Sequence, residues 1–141
     1  MSIGYETQVP PISTVTFYNA IANNGKMMRP RLVKAVMKDG EVIKEFPPVV
    51  MRFSICKSKT LGEIQTILEH VVSQGLGKRA GSPSFKVAGK TGTAQVAKGG
   101  GYKMGTVHYL LSFAGYFPAD APRTAALYVY KSRDCPPRVV A

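Results

Sequence analysis

The stretch Phe85–Gln95, FKVAGKTGTAQ, gathers the most chemically specific residues of the chain: Lys90, Thr91, Gly92 and Thr93. A lysine between a glycine and a hydroxyl residue is first a candidate phosphate ligand. A phosphate-cradling loop needs G-x-x-x-x-G-K-[ST] at the end of a strand, opening a helix. Gly89-Lys90-Thr91 supplies only the close of that pattern. Ser84 stands where the first glycine belongs, Phe85–Ala88 reads as a short strand, and no helical period follows. A second chemistry fits better. A lysine projecting from an edge strand sets a positive field beside a cleft. Thr91 and Thr93, two residues apart, share one side of that strand and can donate to a carboxylate. Gly92 lets an extended peptide approach the backbone, and the Thr93 N–H can supply half of an oxyanion hole. A strand and flexible turn with no chemistry also satisfies the composition.

Other residue types carry weaker signals. Cys56 and Cys135 lack CxxC spacing and read as free thiols. His70, in a helical pattern, and His108, in a strand, form no cluster, so no metal site and no cofactor is expected. Lys and Arg outnumber Asp and Glu by 19 to 8, giving a net charge of +11. The basic residues are scattered, with no Arg-rich helix or RNA-binding signature, which disfavours nucleic acid as a partner. No apolar run reaches the roughly 18 residues of a membrane span. The start, MSIGYETQVPP, lacks the charged and apolar regions of a signal peptide.

At 141 residues the chain suits one domain with a real core. Pro10-Pro11 opens a helix whose face is Val15, Tyr18, Ile21 and Ala22, and Asn23-Asn24-Gly25 stops it. RLVKAVMKDGEVIKEF reads as a hairpin turning at Asp39-Gly40. Thr60 and Glu63 suggest a capping box for a second helix with the stripe Ile64, Ile67, Leu68, Val71 and Val72, closed by Gly75. After the motif, Ala97–Met104 reads as a mobile glycine-rich turn, and Val107–Phe117 and Thr124–Tyr130 as successive strands. The expected class is α+β: a three-strand antiparallel meander, two main helices and a β-hairpin.

VAGKTGTAQ strongly resembles the third catalytic motif of class B penicillin-binding transpeptidases. SIGYETQVPPISTVTFYNAIANNGKMMRPRLV is similar to the segment before that motif, and HYLLSFAGYFPADAPR to the strand and turn after it. The resemblance implies a part of the penicillin-binding-protein, serine β-lactamase-like fold. It also implies peptidoglycan cross-linking: a serine attacks the D-Ala-D-Ala bond of a stem peptide, an amine resolves the acyl-enzyme, and β-lactams acylate the same serine. Carried over, Lys90 is the catalytic motif lysine, Thr91 and Thr93 bind the substrate or antibiotic carboxylate, and Gly92 keeps the groove floor open.

The earlier family motifs are not matched. Ser54-Ile55-Cys56-Lys57 copies the nucleophile pattern Ser-x-x-Lys, but it lies in a basic connector too close to the motif, and a chance match is expected. Ser132-Arg133-Asp134 imitates the middle motif in the wrong order. No nucleophile is therefore expected in this chain, which would be inactive alone and need the remainder of the domain as partner. Residues 1–131 read as the C-terminal portion of a transpeptidase domain and 132–141 as an atypical, irregular tail. The parent is expected at the cell membrane, facing the periplasm or cell surface through an anchor not found here. A non-catalytic binding or structural remnant is the alternative, ahead of a basic nucleic-acid-binding domain.

Overall fold

A computed structural model of the chain describes residues 8–96 and 108–132. Helix α1 spans Pro11–Ala22, with proline at its first position, where a missing N–H costs nothing. It ends where Asn24 (φ 51°) and Gly25 (φ 85°) turn left-handed, and the Gly25 N–H donates to the Ala20 carbonyl at 2.8 Å. The hairpin forms as expected from β2 (Ala35–Lys38) and β3 (Glu41–Glu45), with Asp39 (φ 52°) and Gly40 (φ 85°) at the turn. Its apolar alternation buries no face, since every strand residue except Ala35 is exposed. Two short strands escaped the sequence pattern. β1 (Met27–Met28) pairs antiparallel with β4 (Val50–Arg52), and both are too short for periodicity to register.

Helix α2 spans Ser58–Ser73. The capping box does not form: Lys57 holds the N-cap in extended conformation with no side-chain cap, and Thr60 already lies within the first turn. The buried face is also rotated relative to the expected stripe. Leu61, Leu68 and Val72 are buried, whereas Ile67 is 59% exposed. At the far end Gln74 is the cap residue, and the Gly75 N–H donates to the His70 carbonyl at 3.0 Å. A 3-10 turn at Lys78–Ala80 interrupts the loop that follows.

The meander consists of β5 (Ala88–Val96), β6 (His108–Phe117) and β7 (Thr124–Ser132), in the order β5-β6-β7 and antiparallel throughout. β5 starts three residues later than Phe85, so the whole Lys-Thr-Gly motif lies within the strand. The lead-in is pinned instead by the Ala119 N–H on the Lys86 carbonyl at 2.8 Å and by Phe85 stacked on Phe117, centroids 5.5 Å apart. β7 runs through Ser132, into the segment read as an irregular tail. Residues 133–141 and the glycine-rich segment 97–104 lie outside the described residues.

Both helices pack on one sheet face. Ile21 of α1 and Leu61 and Leu68 of α2 enclose Ala88 of β5 and Tyr116 of β6. The Gln65 side chain ties the helices together, donating to the Ile21 carbonyl at 2.8 Å and satisfying one of the last carbonyls of α1. Small residues make this contact close: Ala88 is fully buried and Ala114 is 7% exposed. The more apolar alternation, Tyr109, Leu111, Phe113 and Phe117, falls on the opposite face, where Tyr128 and Tyr130 of β7 are 66% and 52% exposed. On the helix side the small Ala88 and Ala114 stand beside the large, fully buried Tyr116, so the more apolar periodicity marks the face away from the helices.

Two predictions follow from this packing. The aromatic sheet face and the hairpin both expose large apolar side chains, so the isolated chain is expected to self-associate; a monomer at all concentrations in sedimentation velocity would contradict this. Burial also raises the hydroxyl pKa of Tyr18 and Tyr116 above the ordinary 10.0. The folded state then holds protons that the unfolded chain releases above pH 10, so stability is full below that pH and falls as pH rises through the folded values. Denaturant titrations at alkaline pH should show a shallower loss in Tyr116→Phe than in the parent chain.

Candidate functional site

β5 pairs with β6 along one side only, and its other side is a free strand edge among the described residues. Register fixes what each motif residue faces. Lys90 lies opposite Ala114 and Gly92 opposite Ser112, on the face that carries Ala88 and the helices. Thr91 lies opposite Phe113 and then Tyr128, and Thr93 opposite Leu111 and then Tyr130, on the aromatic face. The two threonines therefore share a side, as their spacing implied, and the lysine takes the other. Lys90 is exposed, and its Nζ donates to the Thr91 carbonyl at 2.7 Å, which parks the ammonium on its own backbone.

Close strand approach positions this edge. Gly89 faces Gly115 across the ladder. A Cβ on Gly89 would stand 2.5 Å from Phe113 Cζ and 2.7 Å from the Ala114 oxygen, and one on Gly115 would stand 3.0 Å from Phe113 Cε1. The Phe113 ring thus covers both glycines, filling the place of their side chains. Gly92 differs. A Cβ there would lie 2.5 Å from Ser112 Oγ, so the space beside Gly92 on the Lys90 face holds a hydroxyl from the neighbouring strand. Sequence reasoning missed Ser112. Its signal was the register: once Gly89 is set against Gly115, Gly92 must meet Ser112.

The other candidates stay apart from the motif. Ser54 is exposed, and its Oγ donates to the Cys56 carbonyl at 2.7 Å. Cys56 is half-buried beside the core, and Cys135 lies outside the described residues. His70 Nε2 stands 4.0 Å from Glu69 on the surface of α2, and His108 Nδ1 is buried without a partner among the described residues. The described residues contain no group of three metal-ligating side chains. No described helix is long and apolar enough to cross a membrane. Thr91–Val96 continues as strand, so Gly89-Lys90-Thr91 does not open a helix as a phosphate loop would.

Comparison with known proteins identifies the class. The penicillin binding protein transpeptidase domain family matches residues 1–134, and the chain belongs to that family. It is 32% identical over 137 residues to the stage V sporulation protein D of Bacillus subtilis, covering 96% of this chain and 20% of that protein. It is 36% identical over 132 residues to penicillin-binding protein PbpB of Mycobacterium tuberculosis, covering 87% of this chain and 19% of the relative. The chain thus spans about a fifth of the length of these relatives. Among solved structures, penicillin-binding protein 3 of Mycobacterium tuberculosis, complexed with ampicillin, matches with a TM-score of 0.77 and 32% identity, covering 94% of this chain and 31% of that one. The α+β architecture is that of the transpeptidase domain.

The three glycines separate by what their neighbours can yield. Gly89→Ala and Gly115→Ala press against backbone atoms and should each cost about 2–3 kcal/mol. Gly92→Ala meets only a serine hydroxyl that can rotate, so it should cost less than about 1 kcal/mol and be relieved by Ser112→Ala. Urea denaturation of the single and double variants checks this ordering.

Proposed function

We propose that this chain supplies the substrate-recognition wall of a peptidoglycan D,D-transpeptidase, the part that engages the D-Ala-D-Ala end of a stem peptide or a β-lactam. The observation that carries the reading is the placement of Lys90-Thr91-Gly92-Thr93 on the free edge of β5. An exposed strand edge pairs with an extended peptide through its backbone. The hydroxyls of Thr91 and Thr93 donate to the terminal carboxylate, and Lys90 contributes the positive charge. The Thr93 N–H forms half of the oxyanion hole as the scissile carbonyl becomes tetrahedral. A serine hydroxyl then forms the ester, the terminal D-Ala leaves with its amine protonated, and an amine of a second stem peptide resolves the acyl-enzyme.

The nucleophile is not Ser54. Its hydroxyl is engaged with the Cys56 carbonyl, in a connector remote in sequence from the motif strand. The chain therefore acts with the rest of a transpeptidase domain and is inactive alone, in a protein working at the cell envelope.

Fluorescent penicillin should leave no covalent label on the chain, and a label lost in Ser54→Ala would overturn the assignment. A D-Ala-D-Ala peptide should perturb the amide signals of Thr91 and Thr93 in NMR titrations. Thr91→Val with Thr93→Val should weaken that binding about tenfold or more, two charge-assisted hydrogen bonds being lost. Unchanged affinity would reduce the chain to a scaffold.

A further inference from the structure

Lys90 needs a second resting place if its ammonium is to serve a site, because its present partner is merely the adjacent carbonyl of its own strand. The register provides one. Lys90 and Ser112 are diagonal neighbours on the helix-bearing face, since Lys90 pairs with Ala114 and Gly92 with Ser112. Diagonal Cβ atoms on adjacent strands stand about 7 Å apart, a gap that a long side chain spans. Between them lies Gly92, which has no side chain to block the way. Ser112 Oγ leans into that gap, 2.5 Å from where a Gly92 Cβ would stand. The Ser112 hydroxyl makes no side-chain hydrogen bond among the described residues, and it is half-buried, so its acceptor lone pairs are available and partly shielded from water.

We propose that Ser112 is a positioning residue for Lys90: its Oγ accepts a hydrogen bond from the Lys90 ammonium once that group leaves the Thr91 carbonyl, across the opening at Gly92. The ammonium then has two positions. The outer one lies on the strand edge, where an incoming peptide backbone would pair. The inner one lies on Ser112, clear of that edge. A peptide that docks along β5 competes for the outer position, and Ser112 keeps the displaced charge beside the motif. Gly92 is required on this account as the passage between the two positions. The inference rests on the reading of Lys90 as the cation of the site, and its test is separable from that reading.

The test is NMR of the full chain with 15N- and 13C-labelled lysine, in the parent, Ser112→Ala and Ser112→Thr. In the parent, the Lys90 Cε protons should show a nuclear Overhauser contact to the Ser112 Cβ protons, strengthened when a D-Ala-D-Ala peptide is added. Removing the hydroxyl in Ser112→Ala should speed exchange of the Lys90 ammonium protons with water about fivefold, the scale of one lost hydrogen bond. Ser112→Thr should restore the slow exchange. Amide spectra remote from the motif, unchanged in all three, separate this from a change in fold. Exchange that is the same in Ser112→Ala, or that Ser112→Thr fails to restore, overturns the proposal. If Ser112→Ala does not fold, the contact in the parent chain decides alone, and its absence with peptide present overturns the proposal. Peptide-induced shifts at Thr91 and Thr93 without any Ser112 effect refute only this positioning role. A Ser112 effect without those shifts refutes only the carboxylate-binding reading.

Discussion

The contact between Gly89 and Gly115 is the constraint on which the rest of the architecture depends. Two glycines face each other across β5 and β6, and any side chain at either would strike Phe113 or the opposing backbone. Because both are glycine, the Phe113 ring lies over the pair on one face, while α1 and α2 pack against Ala88 and Tyr116 on the other. Close strand approach and close helix approach are one requirement met from two sides. It also sets the register of the whole motif, since a slip of one residue would exchange Lys90 with its threonine neighbours.

That register divides the motif between the faces of one strand. The ammonium shares its face with the helices, and the hydroxyls share theirs with Phe113, Leu111 and two tyrosines of β7. Thr91, half-buried opposite Phe113, sees less water than a hydroxyl on an open surface, whereas Thr93 is exposed. Lys90 is exposed as well, and its ammonium rests on the Thr91 carbonyl.

Much of this was legible in the residues, for reasons that differ by element. The hairpin was readable because Asp39-Gly40 needs positive φ at both positions, a local demand that nothing distant can overrule. The end of α1 was readable on the same ground. The cap of α2 was not: Thr60 and Glu63 have the right spacing, but the helix begins at Ser58, where the chain arriving from β4 delivers it. The buried face of the sheet was misleading for a tertiary reason. Periodicity ranks side chains by apolarity, whereas the helices cover a face of mixed sizes, the small Ala88 and Ala114 beside the large Tyr116. Lys90, Thr91, Gly92 and Thr93 were found because they are contiguous. Ser112 was missed because its relation to Gly92 exists only in the pairing of β5 with β6.

The split between faces also constrains any reaction at this edge. If Thr91 and Thr93 hold a carboxylate on the aromatic side while Lys90 assists a hydroxyl on the helix side, the bound peptide must cross the strand edge between them. Its reacting bond then falls near Gly92, where a side chain would have to compete with the Ser112 hydroxyl for space. A glycine there meets two demands, close approach from outside and a polar neighbour from inside. On the proposed reading, a nucleophile would approach from the helix side, where it can meet Lys90 without displacing the carboxylate. Ser54 belongs to the connector leading into α2, but its hydroxyl is committed to the Cys56 carbonyl. On the same reading, the split of the motif between two faces would set the direction of attack on a peptide bound along β5.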